Sequence, residues 1–236
     1  MFPSRSYQLE LLDGDNIPQE DLYQNLRELD FINTWLGGHD ITKAGLKKIL
    51  QASHLKGKKI TVADVGCGGG DNLKFLAKWA RQQKLTIQFV GIDLKADCIR
   101  FATQNCLDYP EIRFVQSDYA LVNETFDIIL SALFCHHLND RQMVQYLDWC
   151  QKHSRLGFFI NDLQRHPLAY FSIKCLTKVF SHSYLVKNDA PLSVQRGFHK
   201  AELLVFCSQA GILQVHIFWK WAFRYLIVYQ HGSPKK

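Results

Sequence analysis

Three features of the chain predict an α/β protein built on a doubly wound, mostly parallel sheet. From residue 60 onward short apolar runs alternate with helical segments, the runs are apolar on both faces, and a glycine-rich turn joins the first run to the first helix. Strands that are apolar on both sides must be covered on both sides, which a parallel sheet between two helix layers provides. At 236 residues the chain is long enough for one such domain and short for two.

Taken in order, Pro18 opens a helix with Leu22, Leu26, Leu29, Asn33 and Leu36 at spacings of three and four. Gly37 and Gly38 are expected to stop it. Residues 41–53 read as a second short helix with Leu46, Ile49 and Leu50 on one face. Both precede the first strand, so residues 1–55 are expected to form a helical cap on a main domain of residues 56–236. Strands are expected at 60–65, 87–92, 112–116, 126–131 and 157–161, with helices at 71–83, 95–105 and 139–153 between them. An insertion at about residues 163–197 breaks the rhythm and carries a helix at 167–180, with Leu168, Cys175, Leu176 and Val179 toward one side. A helix at 199–209 follows, closed by Gly211. The last two runs, 213–219 and 223–230, are joined too tightly for a parallel crossover and are expected to pair antiparallel at one edge.

Composition narrows the function classes. A 47% hydrophobic and 21% charged chain is ordinary for a soluble globular protein, and no run approaches the ~20 apolar residues that span a bilayer. The opening residues lack the pattern of a secretory signal, so a cytoplasmic location is the expectation. Seven scattered cysteines without a C-x-x-C pair argue against a disulfide framework. The spacing of Cys135, Cys150 and His153 matches no zinc pattern, so no metal site is expected. Most of the excess of bases behind the +6 charge lies in one segment, where Arg165, Lys174, Lys178, Lys187, Arg196 and Lys200 face the single acid Asp189. A local basic surface implies an acidic partner.

The strongest motif runs from Val62 to Asp71, a strand entering a turn made of Gly66, Cys67, Gly68, Gly69 and Gly70 and then a helix. Glycines there let a ligand approach main-chain atoms without meeting a Cβ. A dinucleotide site wants a third glycine where this chain has Asp71, and an acid beside a pyrophosphate would repel it. The acid suits a ligand without phosphate, such as an adenosyl group bearing a cationic amino acid. Asp93 ends the next strand, 27 residues after Gly66, where an acid accepts hydrogen bonds from ribose hydroxyls. Asp118, after the third strand, could accept from an adenine amino group or simply cap the local turn.

The run 63–71 (ADVGCGGGD), then 91–94 (GIDL), 116–119 (QSDY) and 126–138 (FDIILSALFCHHL), resembles the class I, Rossmann-like S-adenosylmethionine-dependent methyltransferases. The resemblance covers about residues 60–165. It implies a seven-stranded sheet whose last strand is antiparallel, and S-adenosylmethionine as cofactor. It implies that Asp64 and the backbone of Gly66, Cys67, Gly68 and Gly70 lie along the methionine part, that Asp93 holds the ribose, and that Leu94 packs on adenine. Asp118 and Tyr119 would border the base, and Ser131 to His137 would follow the strand beside the reacting methyl group. The Asn-Pro-Pro-Tyr tetrad of adenine-N6 enzymes is absent. The N-terminal helices and the insertion look like the lids of bacterial small-molecule methyltransferases of quinone and polyketide-type pathways.

A phenol or quinol acceptor needs a base, and a carboxylate does not. His136 and His137 are the candidates, His136 first, because histidine titrates near neutral pH. His166 and His199 are weaker ones. The expected acceptor is a small hydrophobic or acidic molecule methylated at oxygen, or at carbon. The basic, apolar insertion could close over it, dock on an acyl carrier protein or membrane surface, or pack as an ordinary helix. An RNA methyltransferase and a non-catalytic cofactor binder remain alternatives, although no nucleic-acid-binding motif is present.

Overall fold

The computed structural model describes residues 2–14, 16–52 and 59–232. Five parallel strands, β1 (Ile60–Val65), β2 (Ile87–Asp93), β3 (Ile112–Gln116), β4 (Phe126–Ala132) and β5 (Ser154–Leu163), join an antiparallel pair, β6 (His216–Lys220) and β7 (Arg224–Gln230). The sheet order is β3-β2-β1-β4-β5-β7-β6, with β7 antiparallel to β5. Chain direction along the sheet therefore reverses between β1 and β4, and ligands of open α/β sheets bind beyond the strand ends at such a point.

The helices are α1 (Gln19–Trp35), α2 (Gly38–Ala52), α3 (Asp71–Gln82), α4 (Ala96–Asn105), α5 (Asp140–His153), α6 (Pro167–Phe180), α7 (Tyr184–Arg196) and α8 (Lys200–Gln209). Strand side chains alternate between two cores. Val62, Phe89, Ile128 and Phe159 pack with Leu46 and Ile49 of α2 and Leu73 and Leu76 of α3. Ala63, Ile129, Phe158 and Ile160 pack with Tyr146 and Leu147 of α5 and Leu203 and Phe206 of α8 on the other face. The approach of α2 to the sheet is close enough to require glycine, since a Cβ on Gly45 would lie 2.4 Å from the Phe159 ring.

Several expectations change. Gly37 alone, with Leu36, links the first two helices, and Gly38 already begins α2; the expected helix end at Ser53 lies outside the described residues. The insertion holds two helices, and α7 escaped the sequence reading because Pro191 sits inside it and its buried residues follow no single face. The basic segment is not all surface. Arg165 is fully buried, bonded to Glu202 and to the carbonyls of Phe2, Pro3 and Gly197. Arg196 is also buried and bonded to Asp13 and to the carbonyls of Gln8, His136 and His137. Two of the six bases are thus internal struts. Of the cysteines, Cys175 is exposed and the other six are buried. Among the described residues no helix is long and apolar enough to cross a membrane.

Candidate active site

Two adjoining cavities lie over the carboxyl ends of the parallel strands. The larger, about 720 Å³, is lined by Gly66, Cys67, Gly68 and Gly69, by Asp93 and Leu94, and by Asp118, Tyr119 and Phe134. Leu12, Asp13, Gly14 and Ile17, with the Leu22, Leu26 and Leu29 side of α1, roof it. The turn after β1 is held against β2 because Gly66 and Cys67 N–H both donate to the Ile92 carbonyl, at 2.8 and 3.2 Å. Gly66 has φ +71°, and a Cβ there would stand 2.4 Å from the Phe134 ring, so no other residue fits without strain. Asp93 locks the turn further, accepting from Gly68 N–H at 2.9 Å and Lys95 N–H at 3.0 Å. Leu94 presents an exposed apolar surface, and Tyr119 packs edge-on against Phe134, Tyr146 and Trp149. Asp118 is exposed and caps the short turn Tyr119–Leu121 through Ala120 N–H, which is the capping alternative realised, with its second oxygen left over.

Three residues expected at the ligand do not reach the cavity wall. Ser131 is fully buried and pairs with the Cys135 thiol. Gly70 begins α3 behind the wall, against Phe114, Ala102 and Cys106. Asp64 lies beneath the turn, 1% exposed, with neither carboxylate oxygen hydrogen-bonded among the described residues. Burial, reinforced by the charges of Asp71 and Asp93, pushes the Asp64 carboxyl well up. Burial likewise raises Asp71 to about 6, with the nearby His39 opposing it, and raises Asp93. Burial pushes the Cys67 thiol up too, so it is no nucleophile. Three crowded acids, one with orphaned oxygens, outweigh Lys95 and His39 there, since the carboxyls of all three are raised. A ligand with a sulfonium and an ammonium supplies positive charge, whereas a pyrophosphate would add to the repulsion.

The smaller cavity, about 300 Å³, is walled by apolar residues that include Leu29, Ile32, Leu163, Ile173 and Val194. It touches the larger one at Leu133 and His137. The short turn Cys135–His137 after β4 sets both histidines there. His136 Nδ1 meets Asp162 Oδ1 at 2.8 Å, and His137 Nδ1 meets Asp13 Oδ1 at 2.8 Å. Each carboxylate fixes one ring nitrogen and turns Nε2 toward the buried Glu10, at 3.6 and 3.8 Å. Glu10 accepts from the Ser193 hydroxyl, and burial raises its carboxyl to about 7 against the pull of His137, Ser193 and Arg196. The His136 charge holds the buried Asp162 below its ordinary value despite desolvation. Glu10, His136 and His137 offer donor atoms within 4.8 Å of one another and so could chelate a cation. The Arg196 guanidinium, 3.8 Å from Glu10 Oε1, already places a positive charge there. His166 and His199 are drawn into capping α6 and α8.

Glu10, Asp13 and Asp162 were not singled out from the sequence. Asp162 lies next to the last residue of β5, close to where Asp93 ends β2, and the same rule would have found it. Glu10 and Asp13 carry no local signal, because they meet His137 only across about 124 residues of chain.

Residues 62–157 match the family model described as a methyltransferase domain. No curated protein matches the chain by sequence. Among solved structures the chain is similar to a SAM-dependent methyltransferase from Aquifex aeolicus, at 16% identity and TM-score 0.56 over 81% of this chain and 96% of that one. It is similar to magnesium protoporphyrin IX methyltransferase from Synechocystis PCC 6803 with bound SAH, at 14% identity and TM-score 0.52 over 93% and 90%. It is also similar to the plantazolicin methyltransferase BpumL, at 17% identity and TM-score 0.61 over 87% and 74%. At such identities the structural likeness shows the fold, a seven-stranded α/β methyltransferase fold, and residues 62–157 within it are similar to a methyltransferase domain.

Proposed function

We propose that the protein methylates a hydrophobic small molecule at oxygen, with His137 accepting the proton of a phenol or quinol. One observation carries this reading. The cofactor cleft and the apolar cavity meet at Leu133 and His137, so a group bound in one faces a group bound in the other beside an imidazole. S-adenosylmethionine, when bound, supplies a methyl group on a positively charged sulfur. The chain's own residues do the rest. Asp93 and the turn Gly66–Gly69 hold the ribose and methionine parts, and Leu94 and Tyr119 border the adenine, with Asp118 at its rim. Asp13 holds the His137 ring so that Nε2 can take the acceptor proton. His136, on the acceptor side and tied to Asp162, orients the pair, so the base role moves from His136 to its neighbour. The apolar wall excludes water, and alignment of the two bound molecules supplies much of the rate, since orientation is worth about 7–11 kcal/mol in favourable cases. Asp64 stays beneath the turn, out of contact with the ligand.

An acceptor site enclosed by apolar side chains disfavours RNA, which would need an open groove lined by bases. For the surface of the insertion we favour a membrane over an acyl carrier protein. α6 exposes Leu168, Phe171, Val179 and Phe180, flanked by Lys174 and Lys178, and an acidic protein would cover the lysines while leaving the apolar majority in water. Sedimentation with phosphatidylglycerol vesicles checks this, and absence of binding rejects it.

The test of the function is formation of S-adenosylhomocysteine when purified protein meets S-adenosylmethionine and a set of alkylphenols, quinols and carboxylic acids. Turnover on alkylphenols or quinols, abolished by His137→Ala, supports the reading. Turnover on carboxylic acids alone, or activity indifferent to His137, rejects His137 as base, and calorimetry showing no S-adenosylmethionine binding rejects the whole.

A further inference from the structure

Arg224, the first residue of β7, is buried with 3% of its surface exposed and lines the apolar cavity. Its Nη2 donates to Asn33 Oδ1 at 2.8 Å, yet Nε and Nη1 have no hydrogen-bond partner among the described residues. No carboxylate forms an ion pair with it among those residues; Asp162 acts on it only at longer range and is itself engaged by His136 and by Leu163 N–H. Burial lowers the guanidinium to about 10, which leaves it charged at neutral pH. A second donor on the same wall, Asn25 Nδ2, is also buried and unpartnered. Buried polar groups are nearly always satisfied, and a buried charge more strictly still. Arginine is further suited to the planar, two-oxygen geometry of a carboxylate.

We infer that Arg224 is the anchor for a carboxylate on the acceptor, so that the substrate is an amphipathic acid whose apolar body fills the cavity beside His137. This rests on the assignment of that cavity to the acceptor. The other acids on the wall do not compete for the guanidinium: Asp189 accepts from Leu11 and Leu12 N–H, and Glu10 is held by Ser193. Asn161 Oδ1 is a further unpartnered atom, on β5, the strand paired with β7. A role for Arg224 in satisfying it would be structural and would oppose the inference.

The test uses protein saturated with S-adenosylhomocysteine and two probes of equal length, octanoate and 1-octanol, titrated by calorimetry. Octanoate is expected to bind about 10- to 100-fold more tightly than octanol, the worth of one charged hydrogen-bonded contact. Arg224→Met is expected to erase that preference and leave octanol binding alone. The same variant should keep its affinity for S-adenosylmethionine and should unfold at equal or higher denaturant, because an unpaired charge has left the core. Equal binding of both probes by the wild type overturns the inference even if the variant fails to fold. So does loss of S-adenosylmethionine affinity in Arg224→Met, which would assign the arginine to the carboxylate of the cofactor. A lowered unfolding midpoint in that variant overturns it as well, by making Arg224 a structural strut. Failure of methyl transfer with the octanoate preference intact would reject the enzymatic reading and keep the carboxylate site.

Discussion

Replacing Glu10 by glutamine tests the electrostatics of the histidine pair through stability alone. The carboxyl is buried, with imidazole nitrogens at 3.6 and 3.8 Å and the Arg196 guanidinium at 3.8 Å. Burial outweighs the pull of His137, Ser193 and Arg196 and raises it from 4.5 to about 7. An acid whose folded pKa is raised binds its proton more tightly in the folded state. Its stabilising contribution is therefore complete below the unfolded value, falls as pH rises, and is gone above the folded value. At 1.36 kcal/mol per pH unit the total is about 3 kcal/mol, most of it lost between about pH 5 and about pH 8. Glu10→Gln removes the titration. Urea unfolding of both proteins across that range reads the difference. Wild type is expected to gain on the variant as pH falls, by about 2–3 kcal/mol over the range. Asp71, raised to about 6, titrates in the same window in both proteins and cancels in the difference. A difference constant with pH, or one growing toward alkaline pH, would refute the account of a carboxyl undercompensated by its cations.

Three further outcomes are expected. Asp93→Ala leaves Gly68 and Lys95 N–H unpaired and removes the ribose acceptor, so S-adenosylmethionine should bind about 100-fold or more weakly by calorimetry; a change under tenfold would show that Asp93 does not hold the ligand. His137→Ala should lower kcat by about 10²- to 10⁴-fold with little change in cofactor affinity. Asp13→Asn should show a smaller loss, and a larger effect on cofactor binding than on kcat in either variant would contradict proton transfer at this ring. Gly66→Ala forces a Cβ into the Phe134 ring at positive φ, and should cost about 2–4 kcal/mol, seen as a lower melting temperature; unchanged melting would mean that the turn relaxes freely.

Most of the fold was legible because its signals are local. The apolar strands, the helix periods and the glycine turn each lie within a dozen residues, and β1 and β3 fall where their patterns put them. α7 was not legible, because Pro191 and a helix buried on several sides carry no amphipathic period. The lining of the larger cavity was readable for the same reason as the strands: Gly66, Cys67, Gly68, Asp93 and Leu94 sit at the ends of recognisable strands, and those ends converge in any doubly wound sheet. Ser131, Gly70 and Asp64 do not line the cavity, since position along a strand does not say which residues reach the wall.

By itself the sequence determined the class of fold, the glycine-rich turn and the acid that locks it, because chain connectivity alone brings consecutive parallel strands side by side. Only the tertiary structure decided what surrounds His136 and His137. Glu10 and Asp13 come from the N-terminal segment, Asp162 from β5, Arg196 from α7 and Arg224 from β7, and no periodicity links them. Tertiary contact also turned two lid arginines inward, which a count of charges could not foresee. Charge and hydrogen-bond partners act through space at 3 to 4 Å, and spatial distance between residues far apart in the chain is set by packing, not by spacing along the chain.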